Sequence, residues 1–161
     1  ENYIQIFSDL GLRSTILRLF NVYGPGQNMS NLKQGMLSIY CAYVAKGEPV
    51  LVKGSTRRFR DFVFIDDVID AMERTMSQAE VSGVLNVCTG VRTTVEQALA
   101  EITRAFGHVD YPVEVVSGTP RDQFGIYGSY KRIHERLDWM PRHDLAEGLR
   151  LMVEWIRSAR G

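Results

Sequence analysis

Thr15-Ile16-Leu17-Arg18-Leu19-Phe20-Asn21-Val22-Tyr23-Gly24-Pro25-Gly26-Gln27 is the stretch on which the fold of this 161-residue chain turns. Ile16, Leu17, Leu19 and Phe20 make a short, nearly continuous apolar run. That is the pattern of a strand covered on both faces in a parallel sheet, not the alternation of a half-exposed one. Asn21 to Leu32 then becomes rich in Gly, Asn and Pro, which reads as a loop placed directly after a strand end. In open α/β sheets ligands gather at such strand ends.

Working outward, Tyr3, Ile4, Phe7 and Leu10 recur at helical spacing before Gly11, a helix-stopping residue. No capping residue precedes them and the chain opens on Glu1, so it is expected to begin inside a helix, as a fragment does. Downstream, Met36, Ile39, Tyr40, Tyr43 and Val44 mark a helix that ends at Gly47 and Pro49, and Val50 to Val52 is extended. A basic turn from Gly54 to Arg60 leads to a strand over Asp61 to Ile65. Asp66 or Asp67 is then expected to cap a helix carrying Val68, Ile69, Met72 and Met76. Val84 to Val87 reads as a strand, and Thr93 with Glu96 predicts a capping box for the helix bearing Val95, Leu99, Ile102 and Phe106. A last strand over Val113 to Val116, a loop from Ser117 to Gly125, a helix from Tyr130 to Leu137 and a final helix capped by Asp144 with Glu147 complete the series. Strands alternating with helices predict an α/β fold.

Composition narrows the function classes. Nineteen basic and nineteen acidic residues cancel, so no global field favours nucleic acid or an anionic membrane, and any anionic ligand must be held locally. Cys41 and Cys88 form no C-x-x-C pair and read as buried free thiols. His108, His134 and His143 lack the spacing of a metal cluster or a catalytic triad, and are expected at the surface. No apolar run approaches the roughly 20 residues of a membrane span and no leader pattern opens the chain, which implies a cytoplasmic protein.

Three polar segments follow strand-like runs. In the first, Asn21 can hold a sugar hydroxyl or phosphate oxygen with its amide, or can simply close its own turn. In the second, Lys53-Gly54-Ser55-Thr56-Arg57-Arg58-Phe59-Arg60-Asp61 offers guanidinium forks that match phosphate geometry, or a solvated basic turn. Arg60 stands apart from Arg57 and Arg58, because it opens a strand and can point into the domain. In the third, Thr119-Pro120-Arg121-Asp122 presents a carboxylate able to accept two ribose hydroxyls, or one that stabilises its own turn.

Taken in order, these segments resemble the C-terminal half of the extended short-chain dehydrogenases that act on nucleotide sugars, the NAD-dependent epimerase/dehydratase family. Arg18 to Pro25 resembles R-x-x-N-x-Y-G-P, Arg60 to Val68 resembles R-D-F-V-Y-V-D-D-V, and Asn86 to Gly90 resembles N-V-G-T-G. Thr119 to Asp122 resembles R-P-G-D, and Leu137 to Pro141 resembles L-G-W-x-P. The resemblance covers nearly the whole chain. It implies the last part of a Rossmann-like parallel sheet, with residues 1–27 as a remnant of the NAD-binding domain, and a small α/β nucleotide-sugar-binding domain over 28–161. By the same resemblance the substrate-binding residues are Asn21, Asn31, Leu32, Val52, Lys53, Arg60, Arg121 and Asp122, with Leu19 and Phe20 beside the nicotinamide of NAD. The implied partners are a UDP-sugar and a second copy of the chain in a homodimer, with no nucleic acid and no membrane.

The departures are Thr119 in place of an Arg, Arg121 in place of the turn glycine, from where it can supply the lost contact, Cys88 in place of a glycine, and Ser129 in place of a helix-capping Asp. Tyr127-Gly128-Ser129-Tyr130-Lys131 matches the Y-x-x-x-K of short-chain dehydrogenases, but no glycine-rich dinucleotide fingerprint precedes it, so it reads as coincidence. In relatives the catalytic Y-x-x-x-K falls just before a Glu that Glu1 matches. The chain is therefore expected to lack the catalytic Tyr and Lys and to be inactive alone. The implied whole-protein reaction is C4 epimerisation of a UDP-hexose through a 4-keto sugar, with the nucleotide grip contributed by this chain. A 4,6-dehydratase of nucleotide sugars and a non-catalytic dimerising module are the alternatives.

Overall fold

The computed structural model describes residues 1–31, 35–118 and 123–159. In chain order its elements are α1 (Asn2–Asp9), β1 (Thr15–Leu19), β2 (Asn21–Tyr23), α2 (Met36–Lys46), β3 (Val50–Lys53), β4 (Phe59–Arg60) and β5 (Phe62–Phe64). They continue with α3 (Ile65–Ser77), β6 (Gly83–Val87), β7 (Thr93–Thr94), α4 (Val95–Phe106), β8 (Val113–Val116), α5 (Lys131–Leu137) and α6 (Leu145–Ser158). The α/β class and the alternating order agree with the sequence reading. β1 pairs with β6, β2 with β5 and β3 with β8, all parallel, while β4 pairs with β7 antiparallel.

The β1–β6 register runs from Thr15 opposite Gly83 to Leu19 opposite Val87, so a strand from the middle of the chain returns to the first one. Asn21 does not open a loop as expected. β2 runs beside β5 with Asn21 opposite Phe62, because a parallel ladder there gives the backbone partners that a loop would have to find elsewhere. The turn begins after Tyr23 instead. Gly24 there has φ +150, and a Cβ on it would meet the Ile65 side chain and come within 3.3 Å of the Phe64 ring. No other residue fits between the two segments.

Among the described residues two clusters form the core. One packs β2, β3 and β5 against α2, α4 and α6, with Tyr23, Tyr40, Phe62, Phe64, Leu99 and Met152 buried. The other gathers β6, α3 and α5 around Trp139, which is fully buried. Local signals place these helices, sometimes one residue from where the pattern suggested. The capping box of α4 uses Thr94 and Gln97, with Gln97 N donating to Thr94 Oγ1 at 3.1 Å and Thr94 N to Gln97 Oε1 at 2.8 Å, not Thr93 and Glu96. Thr93 faces inward from β7 and is 8 % exposed. Asp144 caps α6 as expected, accepting from Glu147 N at 2.8 Å. Neither Asp66 nor Asp67 caps α3. Phe64 occupies the cap, and both acids lie in the first turn, where they complement the helix dipole. No helix among the described residues is long and apolar enough to cross a membrane.

Candidate functional site

The end of β1, the start of β2 and the segment after residue 122 meet at one cleft. It measures about 460 Å³ and is lined by Arg18, Leu19, Phe20, Asn21, Asn86 and Ile126. Leu19 is 42 % exposed and Phe20 half-buried, so the two offer an apolar wall. Asn21 is anchored through Nδ2, which donates to the Asp61 carbonyl at 2.9 Å, while its main-chain N–H donates to the same oxygen at 3.1 Å. The amide oxygen and second N–H remain as hydrogen-bonding groups at the cleft.

Arg60, in β4 opposite Thr93, turns its guanidinium along the segment that follows residue 122. Nη2 donates to the Gln123 carbonyl at 3.0 Å, and Nη1 donates to the carbonyls of Phe59 at 2.8 Å and Phe124 at 3.3 Å. Burial lowers its pKa from the usual guanidinium range, and the neighbouring Arg58 charge lowers it further. Two cations this close repel each other, and an anion placed beside them relieves that repulsion. Arg57 is exposed, but Arg58 is not the solvated turn residue expected. It is half-buried and donates to the Lys53 carbonyl. Tyr40, 4 % exposed on α2, stands in the field of both arginines: burial raises the pKa of its phenol and their charges oppose the rise. An aromatic group backs the segment, with Phe59 edge-on to Phe124 at 6.1 Å and the Arg92 guanidinium 3.9 Å above the Phe59 ring.

The remaining sequence candidates scatter. Lys53 is exposed, whereas Val52 is fully buried among the core side chains, so a ligand reaching β3 meets the main chain of Val52 and the side chain of Lys53. Asn31 is exposed in a turn, its N–H donating to the Asn28 carbonyl at 3.0 Å. Leu32, Arg121 and Asp122 lie outside the described residues.

Five residues to which the sequence reading gave no such role prove central. Asp61 is fully buried. Its Oδ1 accepts from Thr89 N at 2.8 Å and Thr89 Oγ1 at 2.7 Å, and its Oδ2 from Gly90 N at 2.9 Å and Gly128 N at 3.2 Å. Asp67, 2 % exposed, accepts from Arg142 N at 3.1 Å and His143 N at 3.2 Å and bonds His143 Nδ1 at 2.9 Å. Trp139 Nε1 donates to the Asp67 carbonyl at 3.0 Å. His143 is therefore not a surface histidine: its side chain is 22 % exposed and its ring lies 4.7 Å from that of Phe64. Tyr23 is structural, since burial and then the charge of Asp144 push its phenol well above the ordinary range, and its hydroxyl donates to the Asp144 carbonyl at 3.3 Å. The only signal for these roles was position: each acid sits beside a more conspicuous neighbour in Arg60-Asp61 or Asp66-Asp67.

Of the departures from the family pattern, Thr119 lies outside the described residues. Cys88 is buried, and its Sγ stands 2.8 Å from where a Cβ on Gly128 would lie. Ser129 does not cap α5: Tyr130 holds the N-cap position without a side-chain cap bond, and Ser129 Oγ accepts only a long bond from Lys131 N at 3.4 Å.

Comparison with known proteins decides the lineage. The model of the NAD dependent epimerase/dehydratase family matches residues 1–88. The chain belongs to that family. A putative UDP-glucose 4-epimerase of Methanocaldococcus jannaschii is 30% identical over 98% of this chain and 50% of its own length. UDP-glucuronic acid decarboxylase 6 of Arabidopsis thaliana is also 30% identical, over 94% of this chain and 43% of its own. Among solved structures, UDP-glucose 4-epimerase from Thermotoga maritima with UDP-glucose superposes with a TM-score of 0.90 at 32% identity, covering 99% of this chain and 51% of that one. The chain thus spans about half the length of the epimerase/dehydratase relatives it matches.

Proposed function

We propose that this chain is the nucleotide-sugar-binding part of a UDP-hexose 4-epimerase and that it needs the rest of the family's architecture for turnover. The observation that carries the reading is a cleft with an apolar wall that the anchored amide of Asn21 lines together with Ile126, while the half-buried Arg60 holds the carbonyls of Gln123 and Phe124 just before Ile126. Arg60, with Arg58 beside it, binds the diphosphate, and Asn21 orients the sugar end. Lys53 and the main chain of Val52 receive the base. Asn31, Leu32, Arg121 and Asp122 complete the grip on nucleotide and ribose. Leu19 and Phe20 fit the apolar edge of a nicotinamide ring; NAD, when bound, supplies the hydride acceptor and donor at sugar C4. This chain's own contribution is to hold the remote UDP group, so that the sugar stays over the reacting centre while it turns.

The division proposed is residues 1–27 with the NAD-binding part and 28–161 with the sugar nucleotide, β6 returning to pair with β1. The exposed face of α1, with Tyr3 at 80% and Phe7 at 53% exposure, and Leu10 just after it at 78%, supports pairing with a second copy. Light scattering of the intact protein is expected to give a dimer, and a monomer at high concentration contradicts it.

A decarboxylase stands among relatives of equal identity, so one assay should separate the readings. The intact protein is incubated with NAD and either UDP-glucose or UDP-glucuronate, and products are resolved by chromatography and NMR. Conversion of UDP-glucose to UDP-galactose without loss of carbon supports the epimerase. Release of carbon dioxide from UDP-glucuronate, or a 4-keto-6-deoxy product from UDP-glucose, contradicts it. The isolated 161-residue chain should turn over neither substrate.

A further inference from the structure

Asp61 does more than its place between β4 and β5 requires. Its carboxylate gathers four donors from segments 28 and 67 residues away, and its carbonyl takes two more from Asn21, so one residue joins β2, the Thr89-Gly90 turn and the segment leading to α5. A carboxylate has about four lone-pair sites. Here all four are used, each within ordinary hydrogen-bond distance.

The partners are not scattered through the fold. Gly128 closes the segment whose earlier residues, Gln123 and Phe124, receive Arg60 and whose Ile126 lines the cleft together with Asn21. Gly128 must also stay a glycine for this approach, because a Cβ there would lie 2.5 Å from Phe20 Cζ and 2.8 Å from Cys88 Sγ. Asp61 thus fixes Asn21, which lines the cleft, and the segment whose Gln123 and Phe124 carbonyls receive Arg60 and whose Ile126 lines the same cleft, and it is bonded covalently to Arg60 itself. We infer that Asp61 is the positioning residue of the nucleotide-sugar site, holding Asn21 and Arg60 in the relative arrangement that lets both reach one ligand. The inference rests on the reading of that cleft proposed above.

In Asp61→Asn one oxygen becomes an NH2 that faces two N–H donors or the Thr89 pair, so one side of the clamp opens while size is preserved. The test is calorimetric titration of UDP into the intact protein, at a temperature where circular dichroism shows each variant fully folded. Asp61→Asn is expected to bind UDP about 10-fold more weakly or worse in its folded form. A merely structural Asp61 would lower the melting temperature and leave the affinity of the folded protein unchanged, and that result overturns the inference. If Asp61→Asn does not fold, Thr89→Val removes one of the four donors and keeps the carboxylate. It should weaken UDP binding about threefold, and unchanged affinity overturns the inference equally. Arg60→Ala serves as the control for the site itself. If it keeps full UDP affinity, the diphosphate assignment fails first and the inference about Asp61 falls with it. If it loses affinity while Asp61→Asn does not, only the positioning role fails.

Discussion

Replacing Asp67 by alanine removes the acceptor that docks the segment before α6. Three donors depend on its carboxylate: the N–H groups of Arg142 and His143, and the His143 ring at 2.9 Å. The group is 2 % exposed, so water cannot readily replace the lost oxygens. Each buried donor left unsatisfied costs about 1 to 3 kcal/mol, and some are partly relieved as the segment relaxes. About 3 to 5 kcal/mol is the expected total, the range found when one partner of a buried pair is removed. Asp67→Asn keeps an amide oxygen toward one side but sets its NH2 against a donor, for about 1 to 3 kcal/mol. Asp66, one residue earlier and exposed, should cost within about 0.5 kcal/mol when replaced by alanine. The assay is equilibrium urea unfolding followed by far-ultraviolet circular dichroism, comparing midpoints at constant slope. A loss below about 1 kcal/mol for Asp67→Ala, or equal losses at the two positions, refutes the docking role.

Gly128→Ala should lower stability by about 1 to 3 kcal/mol through overpacking against Phe20 and Cys88, read as a fall in thermal midpoint, and an unchanged midpoint contradicts the close approach. Cys41 and Cys88 should resist thiol reagents at pH 8 in the native protein, because burial pushes both thiols up to about 12, with the Asp61 charge adding to the rise at Cys88. The sign of their pH effect follows: between the ordinary value of 9.0 and about 12 only unfolded thiols ionise, so stability should fall as pH rises through that window. Rapid native labelling, or stability constant across that window after correction for tyrosine, contradicts it.

The alternation of strands and helices was legible because each element carries its own period or cap: Ile16 to Phe20 as an apolar run, Asp144 at the start of α6, Gly47 at the end of α2. What could not be read locally was pairing. Asn21 looks like the first residue of a loop until β5 is placed beside it, and Thr93 looks like a cap until β4 takes it into a strand. The site divides in the same way. Arg60 and Asn21 were legible as candidates, each with a plain structural reading beside it until the family resemblance favoured a ligand. Asp61 and Asp67 were not, since a buried acid is distinguished from an exposed one only by donors that lie 28 to 76 residues away. Val52 shows the limit from the other side: its alternation with Leu51 and Lys53 does not say which face meets the core.

The central claim is that a half-buried arginine, not a diffuse basic turn, grips the diphosphate. Arg60 is held by the carbonyls of Phe59, Gln123 and Phe124, whereas Arg57 is exposed. A charge-assisted hydrogen bond to a held phosphate contributes about 1.5 to 3 kcal/mol, or about 10- to 100-fold in affinity. The most direct measurement is calorimetric UDP affinity of Arg60→Ala and Arg57→Ala in the intact protein, with circular dichroism confirming the fold of each. Arg60→Ala should bind UDP about 10- to 100-fold more weakly and Arg57→Ala nearly as well as the parent; equal losses at the two positions, or none at Arg60, would contradict it.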